Sequence, residues 1–415
     1  MPRVLLLLPT ASYRAADFTA AAGRLGVDVV VGSEHRQALA GSMGDRAVVV
    51  PLARSDRAVE VIAAIHRRAP LDAIVAVDDQ GQVPAAAAAE RLGLAHNPPD
   101  AVAATRDKAL MRARLAAGAV PQPAFRVVAA GGDLAAAAGD LGYPCVVKPL
   151  SLAASQGVIR VDDPRAATAA ADRIRAILDG RPEALIVERF VPGPEVAIEG
   201  LLTEGHLEIL ATFDKPDPLD GPFFEETIYV TPSRHGASVL AGVEAAVAQA
   251  AAALGLREGP VHAEARIDAS GAAVIIELAA RSIGGLCGRA LRFGVGVSLE
   301  EVILRQALGM GLEGLTRETL ASGVMMLPIR SAGILERVSG LAEARTVEGI
   351  EGIEISIAPG RPVVPLPEGN RYLGFAFARA STPAKVDAAL RRAQAALVVH
   401  LRPLSLARAA GRLPA

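Results

Sequence analysis

Glu264 and Glu277 lie in two apolar stretches, Val261-His262-Ala263-Glu264-Ala265-Arg266-Ile267-Asp268 and Val274-Ile275-Ile276-Glu277-Leu278, separated by Ala269-Ser270-Gly271. On an alternating strand His262, Glu264, Arg266 and Asp268 share one face. If the two stretches pair around the turn, Glu264 and Glu277 converge on one spot. Two neighbouring carboxylates repel unless one takes a proton or a cation sits between them. Hard oxygen ligands shared with substrate phosphates are what Mg²⁺ prefers. The bland alternative is a pair of solvated glutamates, and the Ile-rich run before Glu277 counts against it. Arg281, just beyond, is placed to neutralise a transferring phosphoryl group or an acyl phosphate.

Cys145-Val-Val-Lys148-Pro149 ends an apolar strand on a lysine. Its ammonium must reach a cleft, find a partner, or snorkel to the surface. The following run, Ser151-Leu-Ala-Ala-Ser155-Gln156-Gly157, is built of small residues. Such a loop lets backbone N–H groups and hydroxyls approach phosphate oxygens. Further on, Ile186-Val187-Glu188-Arg189-Phe190-Val191-Pro192-Gly193-Pro194-Glu195 runs an apolar strand into a turn with an acid on each side. An adenine slot with a carboxylate for the ribose reads this way, and so does a solvated corner. Gly309-Met-Gly311-Leu-Glu-Gly314 matches the dinucleotide fingerprint but follows the helical segment Leu299–Leu308 rather than a strand, so it is set aside.

Along the sequence the predicted strands and helices fall into three blocks. In residues 1–100, strands at Val4–Leu8, Val27–Val31, Ala47–Val50 and Ala73–Val77 alternate with helices at Asp17–Leu25, Arg57–Arg68 and Gln82–Leu92, which predicts a parallel sheet covered on both faces. Asn97-Pro98-Pro99-Asp100 breaks the pattern, with Asp100 placed to cap the next helix. Residues 101–315 read as α+β, with a lid subdomain over about 121–186, a hairpin at Val261–Leu278 and a long Ala-rich helix at Ala237–Leu254. Residues 316–415 carry short strands at Val324–Leu327, Ile334–Val338, Ile353–Ile357 and Leu373–Ala380, then a helix over Pro383–His400. The fold class expected is therefore α/β and α+β multidomain: an N-terminal parallel α/β domain, a central two-lobed domain and a small β-rich C-terminal domain.

The chain has 415 residues, about half of them apolar, and a net charge of −2. At about 150 residues per domain this length implies two to four domains. The spread of charge offers no basic patch for nucleic acid. Cys145 and Cys287 each sit in an apolar stretch, as buried reduced thiols do. The run Val4–Leu8 is too short for a signal-peptide core or a membrane span, so the expected location is the cytoplasm, with no membrane partner.

The ordered set Lys108, Lys148 with its small-residue loop, Glu188–Glu195, Glu264, Glu277 and Arg281 resembles the ATP-grasp superfamily. The segment Glu188-Arg-Phe-Val-Pro-Gly-Pro-Glu195 is similar to the adenine-and-ribose segment of D-alanine–D-alanine ligase and biotin carboxylase. The resemblance is strong over about residues 1–315 and looser over the tail. It implies an ATP-grasp fold with an N-terminal pre-ATP-grasp domain. Lys108 and Lys148 would bind the phosphates, and Ser155, Gln156 and Gly157 would lie in the lid loop. Glu188 would meet the adenine amino group, with Arg189, Phe190 and Val191 along the ring and Glu195 on the ribose. Glu264 and Glu277 would ligate Mg²⁺, for which Mn²⁺ can substitute. Arg281 would face the γ-phosphate and the acyl phosphate.

Two positions depart from the family pattern. The lid loop holds one glycine where several are usual, and Ala279 stands where an Asn usually follows the second metal glutamate. Glu277-Leu-Ala-Ala-Arg281-Ser-Ile-Gly284-Gly285 nevertheless resembles the branch with bacterial L-amino-acid ligases and carnosine synthase. The activity implied is ATP-dependent carboxylate–amine ligation through an acyl phosphate, with ATP and Mg²⁺ as cofactors and a small-molecule carboxylate and amine as partners. The irregular stretch Asp214–Thr227 is the expected substrate loop, with Glu226 for an amino group and Arg281 or Arg330 for a carboxylate. Carboxylation chemistry of the biotin carboxylase or purine-pathway kind, and a non-catalytic ATP-binding module, remain as alternatives. A homodimer is expected by analogy alone.

Overall fold

The computed structural model describes residues 1–10, 12–36 and 43–403. By internal contacts the chain forms two units, each assembled from three segments. The first comprises Met1–Gln122, Val196–Thr212 and His235–Thr319; the second comprises Pro123–Glu195, Phe213–Arg234 and Leu320–Ala415.

In the first unit, β1 (Arg3–Leu7), β2 (Asp28–Ser33), β3 (Ala47–Val49) and β4 (Ala73–Ala76) form a parallel sheet in the order β3-β2-β1-β4. Helices α1 (Ala15–Leu25), α2 (Ser55–Arg68) and α3 (Gln82–Leu92) accompany it. Val4 to Leu7 are fully buried, as a strand covered on both faces requires. Helix α4 (Pro99–Arg106) starts with Pro98 at its N-cap and Pro99 in its first turn. Asp100 is therefore inside the helix rather than at its cap, and it pairs with Arg114 instead. The expectation of an Asp100 cap is corrected: proline at the first helical position already sets φ and needs no donor there. Asp107 is the capping residue, for α5 (Lys108–Ala117), accepting from the N–H groups of Ala109 at 2.8 Å and Leu110 at 3.0 Å. That cap fixes Lys108 as the first residue of α5.

Strands β9 (Glu195–Thr203), β10 (His206–Asp214), β12 (Gly259–Ile267) and β13 (Ala273–Ala279) lie in the order β13-β12-β9-β10. Helix α8 (Ala237–Leu254) packs on β13 through Val243, Val247, Ala250 and Leu254 in one apolar cluster with Val261, Ala263 and Ile275. By length and composition alone α8 could cross a membrane, at a mean hydropathy of 1.6, but this face belongs to the core. A short pair, β14 (Arg292–Phe293) and β15 (Val297–Ser298), leads to α9 (Leu299–Ala307), which Ser298 and Glu301 start with a reciprocal capping box.

In the second unit, β5 (Phe125–Val128), β6 (Cys145–Pro149), β7 (Ile159–Val161) and β8 (Leu185–Arg189) form an antiparallel sheet, order β5-β8-β6-β7. Helices α6 (Leu134–Leu141) and α7 (Pro164–Ile177) cover one face through Leu134, Ala138, Ala170 and Ile174, packed on Cys145 and Val147. The same unit holds β11 (Ile228–Thr231), β16 (Ala321–Leu327), β18 (Ile350–Ile355) and β20 (Gly374–Ala380) in the order β11-β16-β20-β18. Helices α10 (Leu341–Thr346) and α11 (Pro383–Ala396) lie against them. At Gly323 a Cβ would come within 2.7 Å of both the Tyr229 carbonyl and Val386 on α11, so only glycine permits this packing. A smaller sheet has the order β19-β17-β21, from β17 (Gly333–Ser339), β19 (Pro362–Val363) and β21 (Val398–Arg402). The expected helix to His400 thus stops at Ala396, and the β-branched Val398-Val399 goes into a strand paired with β17. Both cysteines are buried thiols that are not joined in a disulfide.

Candidate active site

The hairpin β12–β13 is antiparallel, and Glu264 is the direct cross-strand partner of Glu277. Alternation puts both carboxylates on the same face. A register shift follows at once, between Glu264 and Ala265, and such a bulge re-aims side chains beside it. Like charges directly opposite are destabilising by themselves. This donor pair therefore suits a hard divalent cation.

Around that pair the first unit arranges further charge. Glu199, on β9, is fully buried and accepts from His262 Nδ1 at 3.2 Å and from the Ile283 N–H at 2.9 Å. The Nε2 of His262 is 3.7 Å from Glu264 Oε1. Burial opposes the imidazolium, but the flanking Glu199 and Glu264 outweigh it and raise the His262 pKa to about 9. Burial pushes the Glu199 carboxyl up, and His262 offsets part of that.

Arg281 leaves the end of β13 and is gripped by Asp79, with Nε to Oδ1 at 2.7 Å and Nη2 to Oδ2 at 3.2 Å. Its Nη1 donates to the Ser282 carbonyl at 3.0 Å. Three of five donors are used, and the other N–H groups have no partner among the described residues, so the guanidinium is fixed yet can still hold an anion. Burial would raise the Asp79 carboxyl, but Arg281, Arg106 and Lys108 overcome it and hold the pKa at about 2. Lys108, at the start of α5, thus contributes to the same positive field.

The second unit carries the other expected residues. Lys148 ends β6 and donates to Glu188 Oε2 on the neighbouring β8 at 2.7 Å, with both side chains buried. Lys148 is therefore paired, not snorkelling. The N–H groups of Arg189 and Phe190 already bond the carbonyls of Ala124 and Pro144, at 2.8 and 3.0 Å. The Phe190 ring stacks under Arg160, 4.5 Å from guanidinium carbon to centroid. Glu195 Oε1 accepts from Lys215 at 2.7 Å, and Lys215 also reaches Glu226 Oε1 at 2.6 Å. Tyr229 donates to the other oxygen of Glu226.

The lid loop is held within this unit. Gly157 N–H bonds the Pro367 carbonyl at 2.9 Å, and Gln156 Nε2 bonds the Glu368 carbonyl at 2.8 Å. Glu183 accepts from both the N–H and the hydroxyl of Ser151. Ala154 and Ser155 both have φ of +55°, a left-handed backbone that costs non-glycine residues energy. Arg330 lies on the rim of a separate cavity of about 580 Å³ formed by the β16–β17 connection, α11 and β21. It sits near Glu225, whose carboxyl burial pushes up while the Ile329 N–H and Arg330 pull it back.

Asp79, Glu199 and Lys215 were not singled out from sequence. Asp79 follows β4, and the carboxyl end of a parallel strand is where open α/β sheets place ligands, so a signal existed. Lys215 sits in the irregular Asp214–Thr227 stretch, and nothing in the sequence marks it as turned inward. Ala279, at the end of β13, supplies no oxygen ligand.

Residues 141–290 match the family model of an ATP-grasp domain, residues 18–96 that of an ATP-grasp N-terminal domain, and residues 325–402 that of an L-amino acid ligase C-terminal domain 2. Alanine–anticapsin ligase of Bacillus subtilis is 29% identical over 249 residues, covering 55% of this chain and 52% of that protein. D-alanine–D-alanine ligase of Cupriavidus taiwanensis is 31% identical over 196 residues, covering 44% and 57%. The chain thus spans little more than half the length of these curated relatives. Among solved structures, an L-amino acid ligase from Bacillus licheniformis superposes with a TM-score of 0.79 at 24% identity, covering 97% of this chain and 99% of that one. Phosphoribosylglycinamide synthetase from Anaerococcus prevotii superposes with a TM-score of 0.70 at 16% identity, covering 97% and 100%.

Proposed function

The chain belongs to the ATP-grasp superfamily, and from that premise we propose that it is an ATP-dependent carboxylate–amine ligase acting in the cytoplasm on an amino acid or a small peptide-like acid. The observation that carries this reading is the opposed pair Glu264–Glu277, followed directly by the anchored Arg281.

In the proposed reaction a carboxylate oxygen attacks the γ-phosphorus of ATP, the bond to the β-phosphate oxygen breaks, and ADP leaves. The amine nitrogen then attacks the acyl carbon, phosphate departs, and the nitrogen loses a proton to give the amide. Catalysis of such transfers is mostly positioning and electrostatic stabilisation. Glu264 and Glu277 are the residues that would hold Mg²⁺, which supplies charge neutralisation to the triphosphate. Arg281, held by Asp79, offers its remaining N–H groups to the γ-phosphate and acyl phosphate. Lys148 and Lys108 bind phosphate oxygens, with Glu188 keeping Lys148 in place. Glu195 serves the ribose, and Glu226 an amino group, each after Lys215 yields part of its hold. The loop 151–157 covers the phosphates and keeps water from the acyl phosphate. The blocks 1–100, 101–315 and 316–415 are proposed as the N-terminal, ATP-grasp and C-terminal functional domains.

The test is ADP release with pooled amino acids, with and without bicarbonate, coupled to mass spectrometry of the products. Amine-dependent turnover with an amide product supports the ligase. Bicarbonate-dependent turnover replaces it with carboxylation, and ATP binding without turnover replaces it with a silent module, the reading Ala279 favours.

A further inference from the structure

The lid subdomain carries a cleft that the proposed reaction does not use. A cavity of about 300 Å³ opens between the β5–α6 connection and the α7–β8 connection. Leu134, Leu178 and Leu185 give it an apolar floor, and Arg175, Arg181 and Glu183 stand around it. Arg181 uses Nε on the Leu178 carbonyl at 3.1 Å, and its two terminal nitrogens have no partner among the described residues. Arg175 spends one nitrogen on Asp172 at 2.7 Å. Glu183 does two things at once. It walls the cleft, and its two oxygens hold the N–H and hydroxyl of Ser151, both at 2.9 Å, where the lid loop begins.

We propose that this cleft is a second ligand site, which takes a small zwitterion with an apolar side chain, of amino-acid or dipeptide size, and that occupancy loosens the lid loop through Glu183. The charges decide the ligand class. The arginines match a carboxylate, as a planar fork does, and Glu183 matches an ammonium. A phosphate would meet repulsion from Glu183, and a plain hydrocarbon would leave the arginines unused. An ammonium on Glu183 competes with Ser151 for the same oxygens, so the ligand binds the released loop better than the held one. That differential affinity is what shifts the loop. By linkage, whatever holds Ser151 in place weakens the zwitterion by the same factor. Nothing in this site depends on the ligase reading, because binding needs neither ATP nor turnover.

The test is hydrogen–deuterium exchange of the full chain with leucyl-leucine as probe and no nucleotide. Slower exchange in 128–134 and 178–185, with faster exchange in 151–157, is the expected result. Arg181→Glu, at an exposed position, and Ala171→Leu, which fills the cleft from α7, each weaken the probe at least about tenfold, the equivalent of about 1.4 kcal/mol. Leucine amide and acetyl-leucine, which each lack one charge, bind at least about tenfold more weakly than the dipeptide. Protection that is absent from both cleft segments, or that survives Arg181→Glu, overturns the site. Cleft protection with an unchanged 151–157 overturns the coupling.

Discussion

Glu264 and Glu277 face each other as direct partners across one antiparallel hairpin. A pair of like charges so placed is destabilising in itself, and the His262 imidazolium beside Glu264 offsets only one side of it. Glu277→Gln is therefore expected to raise the melting temperature of the metal-free chain slightly, by an amount equivalent to about 0.5 kcal/mol. Added MgCl₂ should raise the melting temperature of the parent but not of the variant. ADP release in the variant should fall by roughly two to three orders of magnitude, as when a group that stabilises transition-state charge is removed. An unchanged response to Mg²⁺ in scanning calorimetry would remove the metal assignment.

Asp79 and Arg281 predict an acid profile. The Asp79 carboxyl lies at about 2 in the fold against an ordinary 3.8. Its folded pKa is the lower one, so the stabilisation is complete above the ordinary value and disappears as pH falls toward 2. Asp79→Asn should lose about 3 kcal/mol of unfolding free energy at neutral pH, because it leaves the Arg281 charge without its clamp. The same variant should show a shallower loss of stability between about pH 4 and 2. Urea titrations at a series of pH values decide it, and parallel acid slopes would count against the pair.

Lys148 and Glu188 make a buried pair, and breaking one side differs from replacing both. Lys148→Met takes the ammonium away from the buried Glu188 carboxylate and should cost about 3 kcal/mol. The double variant Lys148→Met/Glu188→Leu should recover at least half of that cost. Both should bind ATP weakly, which separates the phosphate role of Lys148 from its structural one. Equal losses in the single and double variants would mean the pair is not what stabilises β6 and β8.

The lid loop offers a kinetic prediction. Gln156→Ala removes one of the two bonds to the 367–368 carbonyls. A neutral hydrogen bond contributes about 1 kcal/mol, so exchange of the Gly157 amide should quicken by about fivefold. Stopped-flow association of a fluorescent ATP analogue should quicken with it. No change in exchange at Gly157 would show that the contact does not restrain the loop.

Much of this architecture is legible in the chain because alternation and turn chemistry agree. Glu264 and Glu277 can be paired from the chain alone, since two alternating runs flank Ala269-Ser270-Gly271. The end of α11 was not, because Ala-rich sequence fits helix and surface alike and hides the change of period at Val398. Ile228–Thr231 is hard to read as a strand because it is short and Pro232 follows. The partners of the expected residues were harder still. Asp79 lies 202 positions from Arg281, and the inward-turned Lys215 meets Glu195, Glu226 and the Tyr229 ring. A pattern of side chains along one strand predicts its face; it carries no information on which distant charge will be waiting.

The threading of the chain has a consequence for biosynthesis. It passes from one unit to the other five times, and one apolar cluster of the first unit draws on residues from Ala86 to Ala280. On the ribosome the parallel sheet of the first hundred residues and the β5–β8 sheet with α6 and α7, each drawn from one continuous stretch, can settle early. Helix α5 and the segments beside it must wait, their oily faces uncovered, until α8 and the β12–β13 hairpin emerge. Non-local closure of this kind is slow and exposes sticky intermediates. A fragment cut after residue 122 or 234 would inherit that exposure for good, so neither half can be excised as one continuous piece.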